Sequence, residues 1–280
     1  MIGVFDSGVG GLSVWGEIVC KLPDHDTLYL ADQAHVPYGS RALEEVREFA
    51  VGITRFLLEE GADVIVVACN TASAAALHHL RAAFPHVPFV GMEPAVKPAT
   101  ENTRTGIVGV IATPATFEGE LFASLVERFA SDVRVLTQVC PGLVDAVEEG
   151  ALDTSETLAL LEKCLQPLVE AGIDELVLGC THYPFLRPLI ERVVGERVEI
   201  VDPAPAVARQ VGRVLAQYGL DVKKRRAGRH LFYTTGDPTA FAAMLRRLVG
   251  YQGEVRGLSW QADRLTSQSK AQGDSAAIAK

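Results

Sequence analysis

A stretch of eleven residues occurs twice in this chain, and that repeat limits the possible folds more than any other feature. Gly61-Ala62-Asp63-Val64-Ile65-Val66-Val67-Ala68-Cys69-Asn70-Thr71 aligns with Gly172-Ile173-Asp174-Glu175-Leu176-Val177-Leu178-Gly179-Cys180-Thr181-His182 at a constant offset, 180 − 69 = 111. Gly, Asp and Cys coincide, and an apolar run of strand length lies between Asp and Cys. Ile2-Gly3-Val4-Phe5-Asp6-Ser7 aligns more loosely with Val108-Gly109-Val110-Ile111-Ala112-Thr113. The chain therefore reads as two copies of one α/β unit, expected to be related by a pseudo-two-fold axis. In each copy the third strand ends on a cysteine, followed by a hydroxyl-bearing helix start.

The rest of the sequence has the same rhythm. Apolar runs at 2–5, 28–31, 64–68, 89–92, 106–111, 133–139, 176–179 and 198–201 suit strands buried on both faces. Amphipathic stretches separate them. One starts at Ser40, read as its N-cap, carries Leu43, Val46, Ala50, Ile53 and Leu57 on one stripe, and stops at Gly61. Another opens at Asp153 with Glu156 three residues on, a capping-box spacing, and ends near Gly172. Such alternation predicts an α/β fold of two similar lobes with mainly parallel sheets flanked by helices, and a cleft between the lobes. Two Pro-rich stretches, Glu93-Pro94-Ala95-Val96-Lys97-Pro98 and Asp202-Pro203-Ala204-Pro205, read as the crossings. The expected division is 1–93 plus 205–261 for the first lobe and 94–204 for the second. A helix at 206–218, a strand at 230–234 and a helix at 238–249 are expected to complete the first lobe. Residues 262–280 are polar, small and aperiodic, and read as a frayed tail.

Composition removes several functional classes. Lys+Arg 26 against Asp+Glu 35 gives a net charge of −9, which argues against a nucleic-acid partner. The basic cluster Lys223-Lys224-Arg225-Arg226 is short and reads as a solvated loop. No apolar run reaches the ~18 residues of a membrane helix. Met1-Ile2-Gly3-Val4-Phe5-Asp6 has no signal-peptide pattern, and Cys20, Cys69, Cys140, Cys164 and Cys180 are odd in number and scattered. Both features point to a reduced, cytoplasmic protein without disulfides.

In open α/β sheets ligands bind at the carboxyl ends of the strands, where helix N-termini present free N–H groups. Two facing lobes would put Cys69 and Cys180 on opposite walls of one cleft. With one cysteine as thiolate and the other as thiol, one removes a proton from carbon and the other returns a proton to the opposite face. Cys20, Cys140 and Cys164 read as small buried hydrophobes. Asp6, just past strand one, either caps the next helix, or steers the proton on Cys69 or contacts a substrate ammonium. His182 is either a turn histidine beside Tyr183-Pro184 or the acid–base partner of Cys180. Tyr38-Gly39 and Asn70-Thr71 are loop or cap residues by default, although Asn70 and Thr71 sit where a substrate carboxylate would be met. Gly8-Val9-Gly10-Gly11-Leu12-Ser13 with Asp32 imitates a dinucleotide fingerprint weakly, since Ser13 replaces the third small residue. Cys180-Thr181-His182 lacks zinc-site spacing. A two-lobed binding protein without catalysis would also fit the hinge pattern, but would have no need of paired cysteines.

The motifs Val4-Phe5-Asp6-Ser7-Gly8-Val9-Gly10-Gly11-Leu12, Ala31-Asp32, Val36-Pro37-Tyr38-Gly39, Ala68-Cys69-Asn70-Thr71-Ala72 and Leu178-Gly179-Cys180-Thr181-His182-Tyr183-Pro184 together resemble the cofactor-independent aspartate/glutamate racemase family over roughly residues 2–250. His182 favours the glutamate branch, since aspartate-specific relatives usually carry Glu there. The resemblance implies a peptidoglycan-supplying enzyme that interconverts L- and D-glutamate without cofactor, pyridoxal phosphate included, and without metal. It also implies a homodimer. Cys69 would act on D-glutamate assisted by Asp6, and Cys180 on L-glutamate assisted by His182. Substrate contacts would fall on Asp6, Ser7, Tyr38, Gly39, Asn70, Thr71, Thr181 and His182. A glutamate supporting the histidine maps to Glu148, with Glu149 as the alternative. Strand one begins at Ile2, so the extra N-terminal segment of nucleotide-activated relatives is not expected. Racemisation of aspartate or of a broader range of amino acids is the runner-up activity.

Overall fold

The computed structural model describes residues 1–220 and 226–267. Among them, strands β1 (Ile2–Asp6), β2 (Thr27–Ala31), β3 (Val64–Val67), β4 (Phe89–Gly91), β5 (Ile107–Ala112), β6 (Arg134–Val139), β7 (Glu175–Gly179), β8 (Glu199–Val201), β9 (His230–Thr234), β10 (Val255–Gln261) and β11 (Arg264–Ser267) form two sheets. The larger runs β11-β10-β9-β2-β1-β3-β4 and the smaller β6-β5-β7-β8. Every pairing is parallel except β10 with β11.

The repeat is visible in the topology. The order β2-β1-β3-β4 recurs as β6-β5-β7-β8. Register recurs too: Gly3 pairs with Ile65, and Gly109 with Leu176, its counterpart at 176 − 65 = 111. The aspartate before the third strand acts alike in both copies, anchoring the chain near the start of the first strand. Asp63 binds the Met1 ammonium. Asp174 accepts hydrogen bonds from Thr103, the Arg104 and Thr105 amides, and Thr105 Oγ1.

Period-2 alternation sorts the core. Ile2, Val4, Val64 and Val66 enter one cluster, whereas Phe5, Ile65 and Val67 enter the cluster on the sheet's other face. Leu176 and Leu178 of β7 belong to the same cluster as Ile2 and Val4, so one apolar core runs through both sheets. Its middle holds the helices Leu12–Lys21 and Ala204–Gln217, through Val14, Ile18, Val207, Val211 and Leu215.

All eight apolar runs expected as strands are strands, but the edge strand β6 is largely uncovered rather than buried on both faces. The helix expected from Ser40 begins at Leu43, because Tyr38–Ser40 form a separate short turn and Ala42 is the cap. The next helix is capped by Thr154, whose hydroxyl accepts the Thr157 N–H, and not by Asp153. The expected tail is corrected at its start: after the turn at 262–263, Arg264–Ser267 pair with β10, burying Leu258 and Leu265. Residues 268–280, and Lys223, Lys224 and Arg225 of the basic cluster, lie outside the described residues. Arg226 forms an ion pair with Asp26. The expectations for the other cysteines are also corrected: Cys20 is exposed rather than buried, and not all five are unpaired. Cys140, just after β6, is joined to Cys164 of the helix Ser155–Glu170 that packs beside it, with Cα atoms 5.6 Å apart.

Glu175 opens β7 as a buried carboxyl whose Oε2 has no hydrogen-bond partner, beside Asp174 and opposite Glu199. Burial, then the charges of Asp174 and Glu199, push it up from 4.5 to about 7. Because the folded state disfavours the ionised form, stability should fall as pH rises from about 4.5 through about 7. Glu175→Gln should remove that slope and raise the melting temperature at pH 8 by about 2–4 °C, with little change near pH 4.5. Calorimetry at both pH values checks this, and an unchanged or lowered melting temperature at pH 8 contradicts it.

Candidate active site

Parallel strands deliver their following residues to one edge, and the candidate side chains gather there. Asp6 ends β1, Cys69 follows β3 by two residues, and Cys180 follows β7 directly. Ser7, Pro37, Tyr38, Gly39, Cys69, Asn70, Thr71, Thr113, Val144, Cys180, Thr181 and His182 line one nearly closed cavity of about 10 Å³. Both cysteines are free and buried. Larger hollows lie elsewhere; one of about 440 Å³ beside Phe89, Pro94 and Val207 has only exposed polar side chains around it.

On the first wall, Cys69 caps the helix Asn70–Ala83, its sulfur accepting the Ala72 N–H at 3.5 Å. Its thiol is directed at Ser7 Oγ, 4.0 Å away. Burial, then the charge of Asp6, push the Cys69 thiol well above its ordinary value, against the Ala72 N–H. Asp6 is fully buried; its Oδ2 accepts the N–H groups of Gly8 at 3.1 Å and Gly11 at 3.0 Å, and its Oδ1 accepts Thr181 Oγ1 at 3.4 Å. Burial raises its carboxyl, opposed by the His182 charge and those two N–H groups. Asp6 thus ties the turn that precedes the helix, whose cap residue is Gly11, and its charge reaches Cys69.

On the second wall, Cys180 Sγ lies 3.7 Å from His182 Nδ1, and His182 Nε2 lies 2.7 Å from Glu148 Oε1. Burial opposes protonation of the imidazole, but Cys180 and Glu148 together outweigh it and hold His182 well above its ordinary range. Burial likewise opposes ionisation of Glu148, yet His182, Gln33 and the Val9 N–H keep its carboxyl low. Glu148 rather than Glu149 meets the histidine; Glu149 is exposed.

The remaining candidates are also present. Tyr38 is buried and donates to Asp32 Oδ2 at 2.6 Å. Asp32 itself accepts from Thr235 and Trp260, so it is bound up within the protein. Gly39 lies against Thr113, where a Cβ would come within 2.6 Å of the Thr113 Cβ. Thr71 shares a hydroxyl cluster with Thr113 and Thr116. Asn70 is buried with neither amide atom hydrogen-bonded.

The glycine-rich turn serves this site in a different way from a dinucleotide fingerprint. A Cβ on Gly8 would stand 1.9 Å from Glu148 Oε1, and one on Gly10 would stand 2.3 Å from His182 Nδ1. The Val9 N–H donates to Glu148 at 2.7 Å, so a protein carboxylate takes the place of an anionic ligand. Among the described residues no group of three or more His, Cys, Asp or Glu side chains is arranged to hold a metal ion. No helix among them is long and apolar enough to cross a membrane.

Thr113, Pro37 and Val144 line the cavity without having been singled out from the sequence. Thr113 carried a signal, since it aligns with Ser7 at 113 − 7 = 106. Val144 carried none, and Gln33 is visible only through its bond to Glu148.

The profile of the Asp/Glu/hydantoin racemase family matches residues 17–211. A glutamate racemase of Ectopseudomonas mendocina is 51% identical over 254 residues, 91% of this chain and 96% of that protein. The crystal structure of a glutamate racemase from Bacillus anthracis superposes with a TM-score of 0.86 at 35% identity, covering 94% of this chain and 98% of that one. A glutamate racemase from Francisella tularensis, solved with D-glutamate, gives 0.79 at 28% identity, covering 91% and 95%. With a family match over most of its length and half its residues shared with such a relative, the chain belongs to the Asp/Glu/hydantoin racemase family.

Proposed function

We propose that this protein interconverts L- and D-glutamate by a two-base mechanism with no added cofactor. The observation that carries the reading is the pair of free, buried cysteines, one from each copy of the repeat, lining a single cavity. The relatives named glutamate racemase, one of them holding D-glutamate, support the choice of substrate.

The difficult step is removal of a weakly acidic α-proton. Burial excludes water and strengthens each electrostatic contact around the carbanion-like transition state. The unpaired amide of Asn70 and the N–H groups at the start of its helix are suited to the α-carboxylate. With its thiol pushed well up, Cys69 rests protonated and is ready to donate. Cys180, 3.7 Å from the His182 imidazole that can carry its proton away, is suited to take the α-proton of L-glutamate. In the reverse direction the roles exchange, with Asp6 assisting Cys69 and His182, steadied by Glu148, assisting Cys180. Ser7, Tyr38, Gly39, Thr71 and Thr181 shape the cavity around the side chain and ammonium group.

We further read the protein as a cytoplasmic homodimer that supplies D-glutamate for peptidoglycan. That location rests on the role and not on the cysteine count, since Cys140 and Cys164 are paired.

Polarimetry of the purified protein with L-glutamate and no added cofactor should show rotation decaying to zero, and much more slowly with aspartate. Constant rotation at an unchanged L-glutamate concentration would indicate a binding protein, and faster decay with aspartate would reassign the substrate. Cys69→Ala and Cys180→Ala should each lower kcat by about a thousandfold or more. Steady-state assays on folded variants check this; near-normal turnover in either removes the two-base mechanism.

A further inference from the structure

We propose that Gln33 is a positioning residue for the chemistry at Cys180: its amide fixes the carboxylate of Glu148, and thereby the imidazole of His182, to the end of β9. The inference rests on the racemase reading above. It concerns a side chain that does not line the cavity.

Glu148 has two oxygens with separate duties. Oε1 accepts the Val9 N–H and meets His182 Nε2, both at 2.7 Å. Oε2 accepts Gln33 Nε2 at 2.9 Å, and among the described residues it has no other donor. A carboxylate turned part-way out of this plane would lengthen the contact between Oε1 and His182, and the Gln33 bond to Oε2 opposes that turn. Gln33 is itself held, its Oε1 accepting the buried Thr234 Oγ1 at 2.8 Å. Thr234 Oγ1 in turn accepts the Gly236 N–H at 2.9 Å. Gly236 leaves the room Gln33 needs, since a Cβ there would approach the Gln33 Cβ to 2.9 Å. The relay Thr234–Gln33–Glu148–His182–Cys180 thus joins the end of β9 in the larger sheet to the cysteine that follows β7 in the smaller one. The charged or titratable groups facing Glu148 are His182, Asp6 and the Tyr29 phenol.

The relay makes opposite demands of two substitutions. Gln33→Leu removes the donor at similar size, so Glu148 takes up a proton more readily and loosens its hold on His182 as pH falls. Gln33→Glu keeps the shape; its carboxylic acid can donate to Glu148 at acid pH, but as an anion it repels Glu148 at alkaline pH. The test measures kcat, KM and melting temperature for the unsubstituted protein and both variants with L-glutamate between pH 6 and 9. At pH 7 Gln33→Leu should lower kcat about tenfold with KM within about twofold, a loss of the size a charge-assisted hydrogen bond supplies. Relative to the unsubstituted protein at each pH, Gln33→Leu should fall furthest behind at acid pH and Gln33→Glu at alkaline pH. A kcat within twofold of normal, a loss confined to KM, or the same pH-independent loss in both variants would overturn the inference. If Gln33→Leu does not fold, the pH trend of Gln33→Glu decides alone. Failure of the unsubstituted protein to racemise glutamate would overturn the underlying reading instead, which keeps the two apart.

Discussion

Everything at this site depends on parallel strands ending at a common edge. A parallel strand reaches its neighbour only through a crossover, so each copy of the unit presents its strand-ends, and the residues that follow, on one side. Cys69 and Cys180 occupy the same place in the two copies, and they share a cavity because one apolar core ties both sheets together. A slip of one residue in β3 or β7 would turn the buried Val66 or Leu178 to the wrong face and carry the cysteine with it. The position of the thiols is therefore a property of the core as much as of the residues that touch them.

The scaffold is duplicated but its chemistry is not. At offset 106 Asp6 aligns with Ala112, and at offset 111 His182 aligns with Thr71, so neither the carboxyl of the first copy nor the imidazole of the second has a counterpart in the other. The first wall has a buried carboxyl and a thiol pushed well up by burial and by that carboxyl's charge. The second has an imidazole held protonated between a thiol and the Glu148 carboxylate. The two walls thus differ in the groups that flank their sulfurs, and the proposed two-base reaction draws on that difference.

Much of this was legible in the sequence where the signal was repetition or period. The eleven-residue repeat gave the paired cysteines, and short apolar runs gave β1 to β8. Strands β10 and β11 were not legible. They are edge strands of mixed polarity, burying little beyond Leu258 and Leu265, so no clean alternation marks them. The Cys140–Cys164 pair leaves no trace in spacing, because a strand end and a helix meet there only after folding. Glu148 lies in a weakly patterned segment and was distinguished from Glu149 only by its contact with His182. The glycine-rich turn was legible as a turn but not in its purpose, since the side chains that need its missing Cβ atoms come from far along the chain, Glu148 against Gly8 (148 − 8 = 140) and His182 against Gly10 (182 − 10 = 172).

The most direct test of two thiols acting on opposite faces of one carbon is the position of deuterium after brief turnover in heavy water. Starting from L-glutamate, the D-glutamate formed should carry deuterium at Cα from the donor thiol, while recovered L-glutamate stays almost fully protiated at low conversion. Rapid appearance of deuterium in the recovered L-glutamate would show one base working on one face, and would contradict the account.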